Sequence, residues 1–147
     1  MSGLAALLAG HTRPDIYRWH NAAHVPDVEH AVDHAGWRFV YLDGWTVEDK
    51  ATFLKSTAAA FDLPDDRGES FDALGDALAD VDAGDRSGTV VLWDGWSPLA
   101  RADEQAFRVA LSVFGGRVNA ERGDKFAVLL RGEGPEIDVP ELPDAPH

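Results

Sequence analysis

Three short runs of apolar, β-branched and aromatic residues, Arg38–Asp43, Thr89–Asp94 and Lys125–Arg131, are separated by stretches of helical periodicity. Runs this apolar suit strands covered on both faces, and strands that alternate with helices pair in parallel. The order predicts an α/β fold: a two-layer domain with a three-stranded parallel sheet and helices mainly on one face. An N-terminal strand–helix extension is expected from Ile16–His20, which reads as a short strand, and Pro26–Ala35, a short helix opened by Pro and closed by Gly36. At 147 residues the chain fits one domain, long enough to bury about two-thirds of its unfolded surface.

Between the strands, Thr46 is placed to cap a helix from Val47 to about Phe61, with Leu54, Ala58 and Phe61 on one face. A second helix is expected after Ser70, its apolar side made by Phe71, Leu74, Leu78 and Val81. A third, roughly Asp103 to Val118, buries Phe107, Ala110, Leu111, Phe114 and Val118. The expected divisions are residues 1–36 as an extension packed on the domain, 37–131 as the domain, and 132–147 as an acidic Pro-rich tail. Those last sixteen residues hold four Pro, five acids and no Lys or Arg, and read as extended or disordered.

Charge is concentrated in one place. From Asp62 to Asp85 nine carboxylates face one cation, Arg67, so this window carries net −8 of the chain's −13. Asp72, Asp76 and Asp80 recur every fourth residue, which stacks them on one helix face, nearly opposite the apolar stripe. Each like-charged pair costs about 0.2–0.5 kcal/mol in an isolated helix. A solvated helix usually mixes Lys with Glu, yet no Lys or Arg occurs from Gly68 to Asp85. Such a row suits a docking face for a basic protein, with carboxylates standing in for phosphates and steering the encounter.

The segment Leu63-Pro64-Asp65-Asp66-Arg67-Gly68-Glu69-Ser70-Phe71-Asp72-Ala73-Leu74-Gly75-Asp76-Ala77-Leu78 resembles the signature of the barstar family, intracellular protein inhibitors of secreted guanyl-type ribonucleases. The likeness runs from about Trp37 to Leu130. It implies a barstar-like two-layer fold in which the second acidic helix and its preceding loop plug a ribonuclease active site. The carboxylate matching Asp76 then takes the place of a substrate phosphate and that matching Asp72 binds beside it. Glu69, Ser70, Asp66 and Asp80 are expected to add rim contacts and steering. The chain departs from the family where Asp66 and Arg67 replace aromatics, Ser70 replaces an Asn, Gly75 replaces an aromatic, and Gly116 stands where a further acid is usual.

Other constellations are weaker. Asp27, His30 and His34 fall at i, i+3 and i+7, with His20 and His24 near, a spacing able to hold Zn²⁺ or Ni²⁺ but equally that of exposed histidines on a surface helix. Asp80–Val91 begins like a calcium loop, but its sixth position is Asp85 rather than Gly and its twelfth is Val91 rather than Glu, so a helix–strand turn is expected. Asp43 and Asp94 end neighbouring strands, where α/β enzymes place chemistry, and could hold Mg²⁺ in a small phosphate-handling enzyme. Ser97, outside any nucleophile-elbow pattern, reads as a helix cap. Of the five Trp, Trp37 and Trp93 are expected to fill core, and Trp45 and Trp96, just past the strand ends, either close the helix–sheet layers, which is the first expectation, or expose a patch.

The acidity argues against direct binding to nucleic acid or an anionic membrane. With no Cys there is no disulfide and no thiol nucleophile, which fits a cytoplasmic protein. Met1–Gly10 is apolar but short and lacks a preceding cation, so it does not read as a signal peptide. The expectation is a monomeric, non-catalytic, cofactor-free immunity protein that binds a basic extracellular-type ribonuclease or toxin domain. The alternatives are an acidic interaction module without ribonuclease binding, or the Asp43/Asp94 enzyme.

Overall fold

A computed structural model describes residues 2–120 and 124–142. The helices and strands are α1 (Ser2–Leu8), β1 (Ile16–Trp19), α2 (Val25–His34), β2 (Arg38–Asp43), α3 (Lys50–Ala60), α4 (Phe71–Ala79), β3 (Gly88–Asp94), α5 (Ser97–Ala102), α6 (Glu104–Val118) and β4 (Lys125–Arg131). A 3₁₀ turn, Asp65–Gly68, leads into α4. The sheet is wholly parallel with strand order β1-β4-β3-β2. β3 is buried at every position because strands flank it on both edges and helices cover both faces, which is why its sequence is an unbroken apolar run.

The sheet has four strands, not the three expected. Alternation explains the fourth: Ile16 faces the main core while Tyr17 and Trp19 face the other side, so β1 completes the β4 edge. One face carries Val40, Leu42, Val91, Trp93, Val128 and Leu130 under α3, α4, α5 and α6. The opposite face carries Val90, Leu92, Ala127 and Leu129 under α1 and α2, whose Leu4, Leu7, Val28 and Val32 are almost wholly buried. Helices therefore cover both faces rather than mainly one. The Trp37 indole donates to the Leu8 carbonyl at 3.1 Å, fixing α1 against the start of β2.

Helix starts follow from side-chain caps. α3 begins at Lys50, capped by Asp49, whose carboxylate accepts from the Thr52 amide at 2.7 Å. Thr46 does not cap it, because the turn after β2 runs on and Val47 is drawn into the core. Asp103 caps α6 through the Ala106 amide. Ser97 is not a cap either: it is the buried first residue of α5, a helix with no side-chain cap. The tail, as far as Leu142, is extended and docked. Arg18 donates its amide to Pro140 and accepts from Leu142, and Val139 and Leu142 are buried. Residues 143–147 of that tail lie outside the described residues.

A helix presenting unpaired carboxylates

The approach to α4 is built by backbone geometry. Asp62 adopts φ +55°, its amide bonds to the Ala59 carbonyl at 3.2 Å, and the Leu63 amide reaches Ala58 at 2.8 Å. This Schellman ending turns the chain back across α3. Gly68 then lies flush on α3, where an added Cβ would come within 2.6 Å of the Ala58 methyl. Ser70 caps α4, its hydroxyl accepting from the Ala73 amide at 3.0 Å, as its position before the apolar stripe predicts.

Leu74, Ala77 and Leu78 pin α4 to the core, which leaves Asp72 and Asp76 one turn apart on the exposed side. Among the described residues no cation lies within ion-pair distance of either. Asp72, in the first turn, is favoured by the helix dipole. Asp80 is the C-cap, where the dipole disfavours a carboxylate, and Arg67 reaches it at 2.8 Å. The spaced row therefore divides: Asp72 and Asp76 present bare charge, and Asp80 shares an exposed ion pair. Asp66 and Glu69 are exposed on the loop and Ser70 is half-buried. Gly75, next to Asp76, faces open space.

The far end of α4 is held by a residue the sequence reading passed over. Arg117, on α6, is nearly fully buried and donates to the Val81 carbonyl at 3.0 Å and the Asp124 carbonyl at 3.1 Å while lying over the Phe126 ring. Burial pushes its guanidinium pKa down, and nearby Asp124 opposes that. Its only sequence signal is its place on the apolar side of a helix, among Phe114 and Val118. The Asp80–Val91 segment is the expected turn: Asp82 accepts from the Gly84 amide and Asp124 from the Ala83 amide.

The strand ends are differently occupied. In register across the sheet lie Trp19, Arg131, Asp94 and Asp43. Arg131 binds both Asp94 oxygens, at 3.1 and 2.9 Å, and the Tyr41 hydroxyl donates to the second at 3.1 Å. Asp94 is thus already satisfied, while Asp43 is exposed and accepts from the Trp45 amide. The pair is not a free bidentate site for Mg²⁺. His30 and His34 stack 6.1 Å apart on the exposed side of α2. Among the described residues no three His, Asp or Glu side chains converge to hold a metal ion. Trp96 is buried, but Trp45 is 51% exposed rather than core. No described helix is long and apolar enough to cross a membrane.

Fold and charge together define a parallel α/β domain that presents two unpaired carboxylates, one turn apart, on one surface helix. The family model described as barstar (barnase inhibitor) matches residues 37–131, well over half of the chain, and the chain belongs to the barstar family. Members of that family are inhibitors rather than enzymes. No curated protein matches the chain.

Proposed function

We propose that this chain is an inhibitor or immunity protein that binds a basic ribonuclease, or a related toxin domain, and occludes its active site with α4. The observation that supports this most directly is the pair Asp72 and Asp76, exposed, one turn apart and without a neutralising cation among the described residues. Asp76 occupies the position of a substrate phosphate among the enzyme's cations, and Asp72 supports it. Glu69, Ser70 and Asp66 contribute at the rim and Asp80 adds steering. The protein works in the cytoplasm as a monomer, without a cofactor.

The test is capture of small basic ribonucleases and toxin domains by the wild-type chain, followed by affinity measurement on the Asp76→Ala and Asp72→Ala variants. Asp76→Ala should weaken binding at least tenfold while shifting unfolding stability by no more than about 0.5 kcal/mol, as expected of an exposed site. Equal binding by the two proteins rejects the assignment. A second reading, an acidic module for a basic partner other than a ribonuclease, draws support from Arg67. It puts a cation in the loop that leads to the helix.

A further inference from the structure

Trp45 is the single large apolar side chain markedly exposed among the described residues. Its setting is built rather than accidental. Each of β2, β3 and β4 is followed directly by a glycine: Gly44, Gly95 and Gly132. Gly44 and Gly95 continue the strand pairing, the Gly44 amide bonding to Asp94 and the Gly95 amide to Arg131, each at 2.8 Å. The indole lies on the two glycines beyond. A Cβ on Gly95 would come within 2.5 Å of the ring, and one on Gly132 within 3.0 Å. Both have positive φ, +83° and +120°, so backbone shape and missing side chains together clear the floor. One ring face is seated and the other is open to solvent.

The charge beside this platform has one sign. Asp43, Glu48, Asp49 and Glu133 are exposed, and none has an ion-pair partner among the described residues. The cations next in sequence after Trp45 and before Gly132 are used elsewhere, Lys50 over the Phe71 ring and Arg131 on Asp94. An apolar partner laid on Trp45 would strip water from these carboxylates without return, whereas a cation is attracted both by them and by the indole face. We propose that Trp45 on its glycine floor is a docking point for a lysine or arginine side chain of a basic polypeptide segment. It is a surface at the strand ends, independent of the function assigned to α4.

Trp19, Trp37, Trp93 and Trp96 are buried, so change in the solvent-exposed tryptophan emission reports Trp45 alone. The probe is a labelled arginine hexapeptide titrated onto the full chain, with a glutamate hexapeptide as control. Saturable binding with a shift in tryptophan emission is expected. Trp45→Ala should weaken it about three- to tenfold, Trp45→Phe should recover most of the loss, and Glu133→Gln should weaken it less. The Asp72→Asn/Asp76→Asn double variant should leave the emission response unchanged, which separates this surface from α4. The inference is overturned if Trp45→Phe and Trp45→Ala both bind as wild type, or if the response disappears in the double variant. It is also overturned if Trp45 becomes shielded from acrylamide as protein concentration rises without peptide, which would make a second copy the occupant.

Discussion

Arg131 holds both oxygens of Asp94 in a fork, Nε to Oδ1 at 3.1 Å and Nη2 to Oδ2 at 2.9 Å, where β4 and β3 end side by side. Its remaining Nη1 donates to the Ala23 carbonyl at 2.6 Å, fastening the loop before α2, and its guanidinium lies over the Trp19 ring. Such a pair is retained only with good geometry, because desolvation opposes it. Asp94→Asn leaves a half-buried guanidinium short of its counter-charge and should lower unfolding stability by about 3 kcal/mol in denaturant titration. A loss below 0.5 kcal/mol would show that the fork contributes nothing net.

The same pair sets an acid dependence. Burial alone raises the Asp94 pKa, but the hydrogen bonds and charge of Arg131, with the Tyr41 hydroxyl, outweigh it and hold the carboxyl below its ordinary range. A carboxylate depressed in the folded state stabilises above its unfolded pKa, about 3.9, and that contribution is lost as pH falls through the folded value. The stability gap between wild type and Asp94→Asn should therefore be constant from pH 7 to 5 and shrink below about pH 4. Denaturant titrations of both proteins at each pH measure it, and a gap that widens in acid contradicts the assignment.

Tyr41 gives the alkaline counterpart. Burial first, then its hydrogen bond to Asp94 and the charge of that carboxylate, push its phenol up to about 12. The unfolded phenol titrates near 10, so its contribution is intact below about pH 10 and is lost as pH rises toward 12. Tyr41→Phe removes this titration. Its stability relative to wild type should improve between pH 9 and 11.5, whatever the offset at neutral pH, and parallel curves would show that the phenol titrates alike in both states.

Gly75 sits in the middle of α4, and a Cβ there meets nothing within 4 Å. Gly75→Ala should raise stability by about 0.5–1 kcal/mol, since Ala is the better helix former and the site is open. Because Gly75 neighbours Asp76, the same methyl tests how closely a partner approaches: a more stable protein that binds less well marks close contact. Unchanged binding would show that the glycine has no part in recognition.

What was legible depended on local chemistry. β2, β3 and β4 could be read because each is an apolar run, most completely in the two inner strands β3 and β4, and α4 because its stripe and its carboxylates repeat with the same period. Ser70 before that stripe marked its start. β1 was legible as a strand but not as a member of the sheet, since pairing with β4 joins residues more than a hundred positions apart. Thr46 and Asp49 are equally good cap residues three positions apart, and the choice between them was made by burial of Val47. The shared exposed face of Asp72 and Asp76 followed from their spacing, while their proposed roles came only with the family resemblance. The pairing of the third carboxylate did not follow, because Arg67 lies thirteen residues from Asp80 and reaches it only through the 3₁₀ turn. Exposure of Trp45 stood only as the alternative to core, because it depends on Gly95 and Gly132, which follow two separate strands.

Arg67 and Asp80 form an exposed pair at 2.8 Å, which measured exposed pairs place at about 0–1 kcal/mol of stability. Arg67→Ala should therefore hardly move the unfolding midpoint. Its effect on encounter is opposite in sign to that of a lost contact: the variant is one unit more negative, and a third bare carboxylate joins Asp72 and Asp76. Against a cationic partner the association rate should rise about twofold at low salt, and the advantage should vanish as added salt screens it. Arg67→Ala/Asp80→Ala restores the wild-type net charge and should return the rate to near its wild-type value. Stopped-flow association at two ionic strengths decides it. A slower Arg67→Ala variant would mean that the guanidinium itself touches the partner, and the loop then recognises an acid or an aromatic face beside the partner's cations.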